Sequence, residues 1–201
     1  MRQVPEFIKR IWRTPIWRMD SNQKAIYLTF DDGPNPEITP QVLDILDEFG
    51  VKANFFCVGE NVQKYRDVFE ETKRRGHKVG NHTFNHLKGF ETSVEEYVEN
   101  VEKANELIKS KLFRPPHGRI TPRQVNALKK DYKIIMWDFI TYDFDARVSP
   151  ETILNEVKKR SRNGSIVVFH DLTKVAKNML AVLPKAIQFW QDEGYELKLI
   201  E

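Results

Sequence analysis

The chain has 201 residues with 40% apolar and 11% aromatic content, enough to bury a sizeable core as one globular domain. Lys and Arg number 32 against 29 Asp and Glu, a formal net charge of +3 dispersed along the chain, so composition gives no ground for a nucleic-acid or anionic-lipid partner. The lone cysteine, Cys57, excludes an internal disulfide and any thiolate metal cluster.

The first segment, Met1 to Met19, carries Arg2, Lys9, Arg10, Arg13 and Arg18 and is interrupted by Pro5 and Pro15. It holds no apolar run of signal-peptide length, and no later stretch approaches membrane-spanning length. The expectation is a cytoplasmic protein, with the cell envelope as the alternative if the native precursor carries an export signal. The prolines argue against a continuous amphipathic helix, so residues 1–23, with Trp12 and Trp17, are expected to be an extension packed over the domain of residues 24–201.

From there short β-rich runs alternate with longer stretches of helical spacing. Strands are expected at Ala25 to Phe30, Ala53 to Val58, Lys78 to Asn81, Leu112 to Pro115, Ile134 to Trp137, Ile166 to Phe169 and Glu196 to Leu199. Helices are expected after Thr39-Pro40, read as an N-cap and a first-turn proline, and over Asn61 to Arg75 and Val94 to Lys109, the latter capped by Thr92 or Ser93. Two more open at Thr121-Pro122 and at Ser149-Pro150, and the last runs to about Glu193 before Gly194. Seven strands with six intervening helices indicate a parallel α/β architecture in a single domain.

On that frame the polar clusters all fall at carboxyl ends of strands: Asp31-Asp32 after the first, Asn81-His82 after the third, Arg114 to Gly118 after the fourth, Trp137-Asp138 after the fifth and His170-Asp171 after the sixth. In α/β barrels the loops at that end converge on the axis and carry the active site. Asp32, His82 and His86 then make one carboxylate and two imidazoles, a three-ligand set for a catalytic metal with a position left open. Asp31 stays unligated beside them and free for proton chemistry.

Arg114, at the end of a core strand and stiffened by Pro115-Pro116, needs a carboxylate, and Asp31 is its natural partner. His170 emerges from an apolar strand with a pKa near neutrality, suited to a general acid. A carboxylate must fix its tautomer, Asp143 being the first choice and Asp171 the second. Trp137 reads as the wall of a small apolar pocket. The His117 side chain stays open between a group behind the ligands, a substrate contact and a loop residue. Cys57, in Ala53-Asn54-Phe55-Phe56-Cys57-Val58, reads as a buried strand residue.

Thr29-Phe30-Asp31-Asp32-Gly33-Pro34, His82-Thr83-Phe84-Asn85-His86, Arg114-Pro115-Pro116, Trp137 to Asp143 and Val168-Phe169-His170-Asp171 together resemble the five ordered motifs of the polysaccharide deacetylases, carbohydrate esterase family 4 or the NodB-homology domain. The resemblance runs from about Lys24 to the C-terminus. It implies a distorted (β/α)7 barrel and removal of acetyl groups from N-acetylated glycans such as peptidoglycan or chitin-like oligomers, with one divalent metal, usually Zn2+ and otherwise Co2+ or Ni2+. It further implies Asp31 as base, Arg114 as the residue orienting it, His170 as acid held by Asp143, and the His117 backbone N–H as a donor to the oxyanion. Departures from the family pattern, namely His117 for Tyr, Ile140 and Phe144 in the fourth motif and Val168 for Leu in the acetyl pocket, bear on the groove rather than on the chemistry.

Rival readings are a deacylase of a small non-sugar amide, a carbohydrate-binding relative with a weak site, and a non-haem iron oxygenase, whose facial triad is also two His and one carboxylate. An unligated Asp31 beside the ligands and a separate acid at His170 suit hydrolysis better. No obligate protein partner and no membrane span are expected.

Overall fold

The computed structural model describes residues 3–173 and 176–201, so Met1 and Arg2 of the basic start lie outside the described residues. Its strands are β1 (Ala25–Asp31), β2 (Asn54–Cys57), β3 (Lys78–Asn81), β4 (Leu112–Phe113), β5 (Lys133–Ile134), β6 (Phe139–Ile140), β7 (Ser165–His170) and β8 (Glu196–Leu197). Seven run in the order β5-β4-β3-β2-β1-β7-β6, all pairings being parallel, and β8 pairs with the start of β1. This is the curled parallel sheet of a distorted (β/α)7 barrel. Around it lie α1 (Glu6–Ile11), α2 (Thr39–Glu48), α3 (Gly59–Lys64), α4 (Arg66–Arg74), α5 (Val94–Ile108), α6 (Pro122–Leu128), α7 (Pro150–Arg160) and α8 (Ala176–Asp192).

Every residue of β1 is buried, as in a parallel strand covered on both faces. Alternation divides its side chains. Ile26, Leu28 and Phe30 join the core under the helices, with Val42, Leu46, Leu183 and Trp190. Ala25 and Tyr27 face the barrel interior, with Phe56, Leu112, Ile135 and Ile166. The same alternation carries Asp31 to the interior face at the strand's carboxyl end. On β7 it likewise separates Val167 and Phe169, in the helix-side core, from His170.

The caps expected at Ser93, Thr121 and Ser149 form, each side-chain oxygen accepting an N–H of the first helical turn. Thr39 does not cap α2. It is already helical, its hydroxyl donates to the Asp171 carboxylate, and Asn35 Oδ1 instead accepts the Glu37 and Ile38 N–H groups at 2.9 and 3.0 Å. The single helix expected over Asn61 to Arg75 is two, broken at Tyr65 with φ −122° and ψ 51°. The first piece packs on α5 and the second on β3 and α2, directions one straight helix does not serve.

The expected strand Ile134 to Trp137 is shorter, and β6 follows it unanticipated. Between β5 and β6 the sheet path is open, and the N-terminal segment crosses the seam. Ile16 bridges Ile135 in parallel, and Gln3 bridges Phe139 antiparallel. Beneath it Asp138, fully buried, takes bonds from Lys9 (2.5 Å), Arg162 (2.5 and 2.7 Å), Ser165 (2.9 Å) and Gln3 (3.1 Å).

Candidate active site

Asp31 ends β1, and the chain turns out of the strand at Asp32 with φ 81°, a left-handed conformation that aims the two carboxylates at different neighbours. Asp31 Oδ1 accepts from Arg114 Nη1 at 2.6 Å. No protein donor reaches its other oxygen among the described residues. Asp32 Oδ1 lies 3.1 Å from His86 Nε2 and 3.5 Å from His82 Nε2.

Arg114 follows β4 and is fully buried. Besides Asp31 it donates to Thr29 Oγ1 at 2.7 Å and to the carbonyls of Ile135 and Met136 at 3.2 and 2.9 Å, with its guanidinium 4.0 Å from the Phe56 ring. Burial pulls its pKa down, while the Asp31 charge and hydrogen bond act to keep the guanidinium protonated.

His82 follows β3, and its Nδ1 lies 2.8 Å from the Arg114 carbonyl, a pure acceptor, so the ring proton sits on Nδ1 and Nε2 keeps its lone pair. That is how metal-binding histidines are oriented. His86 arrives after a loop in which Thr83 and His86 both take positive φ, 65° and 58°. One donor atom from each of Asp32, His82 and His86 falls within 4.8 Å of the others, so the set fits a small divalent cation. Burial opposes the Asp32 charge, but the two imidazoles hold its carboxyl well below the usual carboxylate range.

Across a pocket of about 330 Å³ lined by Asp31, Asp32, His86 and His117 stands His170. Its Nδ1 lies 2.8 Å from Asp143 Oδ1, and its backbone N–H donates to Asp143 Oδ2 at the same distance. Asp143 is held in turn by the Thr141 hydroxyl at 2.9 Å. Burial works against the imidazolium, yet the Asp143 charge and hydrogen bond prevail and push His170 up to about 9. Asp171, the second choice as its partner, turns away to Thr39. Burial raises the Asp171 carboxyl to about 7 against that bond.

Trp137 forms part of the pocket wall, its indole packed against Gly118, whose missing Cβ would meet it at 2.5 Å. Ile140 and Phe144 complete that wall, and Phe144 meets the His170 ring edge-on at 5.0 Å. In the sequence both residues stand only as departures from the family pattern; β6 is too short to give Ile140 a period, and Phe144 lies in the loop beyond it. The His117 ring packs on His86, centroids 4.7 Å apart, and its backbone, at φ 56°, donates its N–H to no protein acceptor among the described residues. Val168 is fully buried beneath His170 and is not among the residues lining the pocket.

Polar groups gathered at the carboxyl ends of parallel strands place the molecule among the barrel enzymes. The family model described as Polysaccharide deacetylase matches residues 18–133, more than half of the chain. The chain belongs to the polysaccharide deacetylase family. It is 33% identical to a peptidoglycan-N-acetylglucosamine deacetylase of Bacillus cereus over 89% of its own length and 87% of that protein's. It is 32% identical to a chitooligosaccharide deacetylase of Azorhizobium caulinodans over 77% of both chains. Among solved structures, a peptidoglycan N-acetylglucosamine deacetylase in complex with an N-hydroxybenzamide derivative superposes with a TM-score of 0.90 at 29% identity, over 96% of this chain and 94% of that one.

Proposed function

We propose that this chain is a metal-dependent deacetylase of N-acetylated glycans, acting on N-acetylglucosamine residues of peptidoglycan and holding zinc at Asp32, His82 and His86. The observation that carries the reading is the divergence of two neighbouring carboxylates, Asp32 toward two imidazoles and Asp31 toward Arg114. Extensive two-way coverage of the Bacillus cereus relative favours peptidoglycan; chitin-like oligomers are the second candidate. Peptidoglycan would place the working site in the cell envelope. No helix among the described residues is long and apolar enough to cross a membrane.

A divalent ion at the three ligands supplies Lewis-acid polarisation of the acetamide carbonyl and makes a water more acidic. Asp31 takes that water's proton on the oxygen Arg114 leaves free. The His117 N–H donates to the oxygen that gains charge as the carbonyl is attacked. His170, kept protonated by Asp143, hands its Nε2 proton to the leaving amine. Trp137, Ile140 and Phe144 shelter the acetyl methyl from water. Acetate and a free amino sugar result.

The test is acetate release from acetylated peptidoglycan and from chitin oligomers by protein stripped of metal and reloaded with zinc, cobalt or nickel. Release that depends on metal and prefers peptidoglycan is expected. A fully loaded protein that frees no acetate from any acetylated glycan would instead be a carbohydrate-binding relative.

A further inference from the structure

The two imidazoles of the candidate metal set are held by different means. His82 is buried and fixed by a hydrogen bond, its Nδ1 on the Arg114 carbonyl at 2.8 Å. His86 lacks such a bond. Its Nε2 faces Asp32 at 3.1 Å, and no protein group bonds its Nδ1 among the described residues. The side chain is 32% exposed, so water can reach that nitrogen, but an exchanging water does not fix a ring. His86 also lies in the loop beyond β3, at φ 58°, where no ladder braces the backbone.

A metal-binding histidine is ordinarily oriented through its second nitrogen. For His86 the neighbouring rings remain. His82 lies 5.1 Å away, tilted by 50°, and is itself a candidate ligand. His117 is closer, 4.7 Å between centroids at 72°, the edge-on arrangement that aromatic rings favour.

His117 stands on a firm mount. The Gly118 and Arg119 N–H groups donate back to the Pro115 and Pro116 carbonyls at 3.0 Å each, closing a tight turn around it. Gly118 lies so close under Trp137 that a Cβ there would meet the indole at 2.5 Å. Two prolines before the ring and a packed glycine after it leave little but its own side-chain torsions to vary. His117 is not a fourth ligand, since it falls outside the set of donor atoms lying within 4.8 Å of one another.

We propose that the His117 side chain is a positioning residue for His86, holding that ring by edge-on packing as the Arg114 carbonyl holds His82 by a hydrogen bond. The inference rests on the reading of Asp32, His82 and His86 as metal ligands. The stretch Arg114 to Gly118 then orients three side chains of the site: Asp31 through the Arg114 guanidinium, His82 through the Arg114 carbonyl and His86 through the His117 ring. What His86 requires at position 117 is an aromatic ring, not an imidazole nitrogen.

Zinc affinity of the stripped full chain, titrated against a chelating competitor, tests this without any substrate. His117→Ala should bind zinc roughly tenfold or more weakly, and His117→Phe should restore most of the affinity. The visible bands of the cobalt-loaded protein should shift in His117→Ala and stay in place in His117→Phe. Urea midpoints of the stripped proteins should agree, because His117 is exposed. Unchanged zinc affinity in His117→Ala overturns the proposal and leaves the side chain to substrate or to the loop. Equal losses in the Ala and Phe variants overturn it as well, since the nitrogens would then matter and not the ring. A parent that binds no zinc overturns both this and the reading of the site, whereas the deacetylase reading fails separately, by absent acetate release from a zinc-loaded parent.

Discussion

Arg114 and Asp31 form a buried pair, 2.6 Å apart, in which the arginine also ties β4 to Thr29 of β1 and to the carbonyls beyond β5. The carboxylate is thus fixed from behind while its reactive side faces the pocket. A lysine carries the charge but cannot serve four acceptors from one ammonium. Arg114→Lys should cost about 3–5 kcal/mol in urea unfolding, the scale of breaking a buried pair. Its kcat should fall roughly 10²- to 10⁴-fold.

Ligand and base should separate in a metal assay. Asp32→Ala and His82→Ala are expected to lose the ion by mass spectrometry of the dialysed protein. Asp31→Asn should keep it and lose roughly 10²- to 10⁴-fold in kcat. Full occupancy after both ligand substitutions would refute the assignment.

An alkaline limb in the rate profile is expected from His170. The acid works only while protonated, so kcat should fall as pH rises through the pKa, about 9 in the structure. A cation beside Asp32 offsets part of the negative field, which sets the limb at or below that value. Asp143→Asn removes the main raising influence and should move the limb to lower pH; an unmoved limb would exclude His170 as its source.

Acid should weaken the fold through Asp138. Burial alone would raise its pKa, but Arg162 and Lys9 bring it down to about 2. With an unfolded value near 3.9, the stabilisation is complete above about pH 5 and is lost as pH falls toward 2, about 2–3 kcal/mol in all. Asp138→Asn should flatten stability over that range in urea titrations while lowering it at neutral pH, because Lys9 and Arg162 lose their partner.

Gly33 sits where a Cβ would run into the Asp171 carboxylate. Gly33→Ala should therefore displace the adjoining Asp32 and weaken zinc affinity roughly 10- to 100-fold, the scale of disturbing a ligand's supporting contacts. Calorimetric titration of the stripped protein checks this. Unchanged affinity would mean that Asp171 yields and the loop stays.

Much of the pocket was legible because its acids and imidazoles fall where apolar runs break, and strand order alone brings such breaks together. Arg114 with Asp31 and His170 with Asp143 followed from charge and burial. What stayed hidden depends on contacts distant in sequence. Thr39 looks like a cap until Asp171 claims its hydroxyl, Tyr65 looks helical until α3 and α4 seek different neighbours, and β6 is too short to show a period.

The seam between β5 and β6 gives the opening residues a duty that composition does not announce. Gln3 and Ile16 act as stitches on either side of it, and Lys9 is driven into the acid beneath. A truncated protein starting at Lys24 would retain every group around the candidate cation yet leave two strand edges bare. The loop bearing Asp143 would then hang from β7 alone, so such a truncation should bind zinc normally and hydrolyse poorly.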